Sequence, residues 1–168
     1  MYRNGEGPRC RPGGGRGSVV VLVLMLMPVL LLLSGLVLDM GTLFMARRSV
    51  YAAADMGALA GAEDLDLEQL AAGVRYLQPG PARRDAALWV RQNLEAAFGD
   101  RASLAVVKVR VYNASSDHPL YDAVSGRRLT DPTVCVVVEM PVEFRFLAPV
   151  IDRTTVRVHS DASVLRKK

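Results

Sequence analysis

From Ser18 to Leu38 the chain reads SVVVLVLMLMPVLLLLSGLVL, a run without a charge and without a polar face. A soluble core helix would keep a polar stripe toward water. This run predicts a membrane-crossing helix instead. At ~1.5 Å per residue it reaches about 31 Å, against ~30 Å of bilayer hydrocarbon. Pro28 lies inside it and predicts a kink, which membrane helices tolerate. No further proline occurs before Pro79. Leu36, Met40, Leu43, Arg47, Val50, Ala54, Gly57 and Gly61 recur at spacings of four and three, which is one helix face. The pattern therefore predicts a single helix from Ser18 to Ala62, about 67 Å long, that continues outward from the membrane. Its outer half repeats small residues: Ala54, Ala58 and Ala62, and beside them Ala53, Gly57 and Gly61. Such a face permits close helix approach, either to the chain's own sheet or to neighbouring subunits.

Beyond Ala62 the helical period returns twice. Leu67, Leu70, Val74 and Leu77 are helix-spaced, as are Ala87, Val90, Leu94 and Phe98. Gln78-Pro79-Gly80-Pro81 separates the two segments, predicted at 65–77 and 82–98, and Gly99-Asp100 ends the second. After Arg101 the period shortens to two. Val107, Val109 and Val111 alternate with Lys108 and Arg110. Thr133–Glu139 is a β-branched run suited to a buried strand. Val142, Phe144 and Phe146 alternate with Glu143 and Arg145. In the last segment, 154–165, Val156, Val158, Ser160, Ala162 and Val164 alternate with Thr155, Arg157, His159 and Asp161. A polar loop spans 113–132. The expected class is α+β: a long amino-terminal helix, short helices, then a small, mostly antiparallel sheet with helices on one face.

Charge sets the expected topology. The chain has 21 Lys and Arg against 17 Asp and Glu. Much of that excess sits in residues 1–17, where Arg3, Arg9, Arg11 and Arg16 oppose Glu6 alone. The other flank opens with Asp39 and has no base before Arg47. Positive charge stays in the cytoplasm, so the amino terminus is expected inside and the domain outside. The basic balance is thus a topology signal. It is not a nucleic-acid footprint, which would lie on the folded domain. The expected divisions are a basic cytoplasmic leader (1–17), a transmembrane helix (18–38), its extension (39–62) and an extracytoplasmic α+β domain (63–168). The apolar core is longer than that of a secretory signal, and no Ala-x-Ala site follows it, so an anchor is expected.

The stretch LDMGTLFMARRSVYAAADMGALAGA resembles the amino-terminal module of TadE/TadG-like proteins of the tight-adherence (Flp) pilus system. The matching positions are Arg16, Gly17, Asp39, Gly41, Arg48, Ala53, Ala54, Asp55, Ala58, Leu59, Ala60, Gly61 and Ala62. Tyr51 stands where that family usually has Gln. The resemblance implies a pilin-like layout and a non-enzymatic, single-pass component of a bacterial pilus-assembly system. Its implied location is the cytoplasmic membrane or a pilus. Its implied partners are the bilayer, other pilus-assembly or pilin-like subunits met through the long helix, and a prepilin peptidase. Asp39, Gly41, Arg48, Ala54, Asp55, Ala58 and Gly61 are the motif positions on the helix. Gly17-Ser18 is the scissile bond the resemblance would place. The fifth residue of such a mature chain is Leu22, where pilins carry Glu. That fits an uncleaved anchor or a subunit at a filament end. The rival reading is an envelope-anchored binding module unrelated to pili.

Reactive chemistry is sparse. No nucleophile elbow, phosphate-binding loop or Ser-His-Asp order occurs. The chain is therefore expected to be no enzyme and to need no cofactor or metal. Two Cys and two His do not make a usual zinc site. His118 between Asp117 and Asp122, and His159 near Asp161, could together bind a metal, but nothing fixes their spacing. Cys10 and Cys135 are expected on opposite sides of the bilayer, with Cys135 a small buried apolar residue. Asp55 is expected to pair with Arg47, Arg48 or a neighbouring subunit. Asn113-Ala114-Ser115 matches a glycosylation triplet, which means little in a bacterial setting.

Overall fold

The computed structural model describes residues 15–146, 148 and 153–164, with side chains from Val19 onward. The leader before Gly15, with Cys10, lies outside the described residues.

One helix, α1 (Gly15–Ala62), runs through Pro28 without a break and is about 72 Å long. It is the one described helix long and apolar enough to cross a membrane. Its two halves behave differently. Every side chain from Val19 to Ser34 is exposed. From Gly35 onward one face is covered: Gly35, Asp39, Ala46, Val50, Ala53, Ala54, Gly57, Ala58 and Gly61 are all buried. Among the described residues nothing covers the inner half, and the outer half docks on the chain's own domain. This decides between the two uses open to the small-residue face: it packs internally.

The next segment departs from its periodicity. A helix was expected over 65–77, but α2 spans only Leu67–Ala71. Asp66 caps it, accepting from the N–H groups of Glu68 and Gln69. Gly73, at φ +80, turns the chain out of the helix. Leu77 then bridges back to Leu65. The Asn113 side chain holds this return from both sides: its Oδ1 accepts from Leu77 N–H (2.8 Å) and its amide donates to Leu77 C=O (3.0 Å). The next helix, α3 (Pro79–Phe98), starts three residues before the expected boundary because Pro79 occupies its first turn. A proline there loses no helical bond. Ala82, Ala86, Val90 and Leu94 form its buried face.

After a 3-10 turn (Gly99–Leu104) the described residues form five strands: β1 (Val106–Tyr112), β2 (Leu120–Tyr121), β3 (Arg128–Leu129), β4 (Thr133–Glu143) and β5 (Arg153–Ser163). The main sheet is antiparallel in the order β1-β4-β5, and β2 and β3 form a separate hairpin inside the expected polar loop. The two strands expected at 133–139 and 142–146 are one strand. Pro141 does not break it because β1 ends opposite Glu139, so β4 has no neighbour on that side at Pro141. Phe144 is buried just past the strand end.

The core lies between the helices and one sheet face. Val134, Val136, Val138 and Met140 of β4 and Val156, Val158 and Ala162 of β5 meet Val50, Ala54 and Ala58 of α1. Helix α1 lies over β4 and β5, while α3 packs on α1 and β1. The opposite sheet face is polar: Glu139 reaches Lys108 (3.6 Å) and Arg157 (3.5 Å) across neighbouring strands. The hairpin covers the far end of that face, so Cys135 is buried there as expected.

Candidate functional site

The residues that decide what this protein can contact lie along α1. At the boundary between its free and docked halves sits Asp39, 1% exposed. Its Oδ1 accepts from Arg145 N–H and its Oδ2 from Phe146 N–H, each at 3.0 Å. A carboxylate at the end of an apolar run is costly unless hydrogen-bonded. Two backbone donors in succession provide that bonding, and they tie the β4–β5 connection to the helix. The sequence showed a carboxylate after the apolar run but not this clasp. One turn toward the amino terminus, Gly35 lies under Phe146: a Cβ built there would be 2.8 Å from the Phe146 Cβ.

Further out, the motif positions divide into two groups. Ala54 and Ala58 are fully buried. Asp55 accepts a hydrogen bond from Ser160 Oγ (3.1 Å), which joins α1 to β5. Ser160 is the polar member of an otherwise apolar inward face, and that is the signal in the sequence for such a partner. Gly61 approaches α3 closely, since a Cβ there would meet Ala82 O at 2.7 Å. Asp39, Ala54, Asp55, Ala58 and Gly61 therefore all serve the chain's own fold.

Gly41 and Arg48 do not. Both are exposed, and nothing lies within 4 Å of where a Gly41 Cβ would be. They share the outer side of α1 with Phe44, Met45, Tyr51, Met56 and Leu59, all exposed. Gly41→Ala is therefore expected to raise the stability of the isolated chain by up to ~1 kcal/mol through helix propensity alone. Thermal unfolding of the detergent-solubilised chain reads this directly. A loss of stability would mean that the position is packed.

The one metal-type cluster among the described residues is Asp122, Cys135 and His159. His159 joins it, but His118 does not. Asp122 is buried and richly bonded. It accepts from Ser125 Oγ (2.6 Å), Ser125 N–H (2.8 Å), Val124 N–H (3.3 Å) and the Tyr112 hydroxyl (3.4 Å). His159 Nε2 lies 3.2 Å from its Oδ2 without an aligned hydrogen bond. Those donors fill about the four acceptor sites of a carboxylate, so the arrangement is a clasp for the β2–β3 hairpin. Burial alone would raise the Asp122 carboxyl, but the Ser125 and Val124 bonds and the nearby His159 outweigh it and hold the carboxyl below its ordinary 3.8. The stabilisation is thus complete above that value and fades as pH falls through the lower folded value.

Burial, then the charges of Asp122 and Asp161, push the Cys135 thiol up to about 12. With Cys10 replaced by Ser, Cys135 is expected to resist a thiol-alkylating reagent at pH 8. Asp122→Ala is expected to speed its alkylation about tenfold or more, as a ~1.4 kcal/mol loss of local stability requires. An unchanged rate would remove the clasp from the account of the hairpin.

Residues 17–64 match the model of the Flp pilus-assembly TadE/G-like family. The match covers α1 to its end and stops before α2, leaving α3 and the sheet outside it. No curated protein and no solved structure matches the chain.

Proposed function

We propose that this chain is a non-enzymatic, single-pass membrane component of a bacterial Flp/Tad pilus-assembly system, acting as a minor pilin-like subunit or an anchored assembly factor. The observation that carries the reading is the division of α1. The helix that matches the pilus-assembly family is docked on its own domain in its outer half and uncovered in its inner half. An apolar half-helix without protein contacts needs a bilayer or a bundle of similar helices around it. The outward positions Gly41, Arg48, Phe44 and Met45 continue that uncovered surface beyond the apolar run. In this reading the basic leader stays in the cytoplasm, the domain stands outside, and neighbours meet the chain through α1.

Prepilin-type cleavage at Gly17-Ser18 would release the leader and let the subunit leave the bilayer. Both residues lie in the first turn of α1, so a peptidase would have to open that turn. Leu22 lacks the carboxylate that would pair with a new amino terminus in a filament, which favours the anchored form.

The test is a photo-crosslinker at Phe44 or Arg48 in natively expressed protein, combined with intact mass of the membrane-extracted chain. Capture of pilus-system proteins supports the reading, and their clean absence overturns it. A chain starting at Ser18 assigns the filament role, and one starting at Met1 assigns the permanent anchor.

A further inference from the structure

We propose that the turn just after β4, Arg145–Phe146, seats the domain in the outer leaflet of the membrane, with Phe146 as the inserted side chain. This rests on the reading that α1 spans a bilayer. Its evidence is the height at which the domain first touches the helix.

Gly35 lies inside the uncharged run, three residues before its outer end at Leu38. At ~1.5 Å per residue that is about 5 Å below the boundary, within the depth that interfacial side chains reach. Phe146 lies directly over Gly35, with its Cβ 2.8 Å, Cγ 3.1 Å and Cδ1 3.4 Å from the place a Gly35 Cβ would take. Only a residue without a Cβ lets the ring rest on the helix at this level. The ring is nevertheless 56% exposed. Leu31, Leu32 and Leu38, three or four residues from Gly35 along the helix, are exposed as well. Whatever surrounds those side chains surrounds the outer side of Phe146 as well. For a spanning helix that surrounding is lipid.

Two neighbours fit the same height. Asp39, one turn outward, accepts from the Arg145 and Phe146 amides, so these two N–H groups enter already paired. Arg145, adjacent to the inserted ring, is exposed and long enough to extend its guanidinium to the phosphate level. The domain therefore rests on the membrane surface instead of standing away from it on a helical stalk.

The test uses the full chain in phosphatidylcholine/phosphatidylglycerol vesicles whose acyl chains carry bromine near the headgroup. Trp89→Phe removes the sole tryptophan. Single tryptophans are then introduced by Phe146→Trp, by Leu32→Trp within the span, and by Tyr121→Trp on the distant hairpin.

The expected result is that the Phe146→Trp and Leu32→Trp proteins each lose half or more of their emission in brominated vesicles, while the Tyr121→Trp protein does not. Quenching of Leu32→Trp without Phe146→Trp would overturn the seating and leave the spanning helix intact. A blue-shifted but unquenched Phe146→Trp signal would mean that protein, such as a neighbouring subunit, covers the ring, and would overturn it equally. Absence of quenching at both positions would overturn the spanning reading itself. Quenching of all three proteins would overturn the specific seat.

Discussion

Gly57→Val is expected to lower the stability of the domain by about 3 kcal/mol, the upper range for overpacking a filled contact. A Cβ at Gly57 would lie 2.3 Å from Val90 Cγ2 and 2.8 Å from the Ala86 carbonyl oxygen. The valine methyl could rotate away. The carbonyl belongs to the α3 backbone and cannot move unless α3 shifts off α1. That shift would open the contact lined by Ala82, Ala86 and Val90, all fully buried. The gain from leaving glycine in a helix is at most ~1 kcal/mol and does not offset the collision. Thermal unfolding in detergent, followed by Trp89 fluorescence on α3, should show Tm falling by roughly 6–12 °C. The opposite sign expected for Gly41→Ala makes the pair decisive. Two glycines of one helix should respond in opposite directions because one is at a contact and the other is not. Equal responses would mean that the α1–α3 packing is wrong.

Asp39→Ala should have a comparable cost in one place only. It removes the acceptor of two backbone N–H groups, and bonds to a charged group contribute about 1.5–3 kcal/mol each. The β4–β5 connection can loosen without opening the sheet, so the loss should appear locally. Hydrogen exchange at the amides of Arg145 and Phe146 is expected to accelerate about 100-fold, the equivalent of ~2.7 kcal/mol. The amides of Val136 and Val138 in the middle of β4 should be unchanged. Asp39→Asn keeps one acceptor and should fall between the two. Unaltered exchange at Arg145 and Phe146 in the alanine variant would show that the clasp does not hold the connection.

The long helix, α3 and the inward faces of β1, β4 and β5 were legible because each obeys one period over many residues. Val107, Val109 and Val111 turn inward and Lys108 and Arg110 outward, as alternation requires. The segment after Ala62 misled because Leu67, Leu70, Val74 and Leu77 satisfy a helical period that Gly73 interrupts. The segments 133–139 and 142–146 were read apart because a sequence does not show that Pro141 falls where β4 has no neighbour on one side. The hairpin was hidden in a polar loop whose short strands are too brief to show alternation.

The clasps were less visible still. Asp39, Asp55 and Asn113 each bond residues far along the chain, Asp122 bonds residues two to ten positions away, and three of the four bond at least one backbone N–H, which leaves no mark in side-chain pattern. Ser160 was the exception, a hydroxyl in an apolar row. The resemblance marked Asp39, Ala54, Asp55, Ala58 and Gly61 as important without distinguishing internal docking from contact with another molecule. That distinction needed the distances.

Pro28 gives the uncovered half of α1 one more property. Proline has no N–H to donate to the carbonyl four residues earlier, so one rung of the helix at Leu24 is missing. Beyond Gly35 the helix is stiffened by the domain bound along it, and between Val19 and Ser34 no described part of the domain covers it. A lateral force on the domain is therefore carried down a rigid lever to a single compliant joint near the middle of the apolar run. Bending concentrates there, and the domain can tilt through an arc while the contacts from Asp39 to Gly61 stay unstrained.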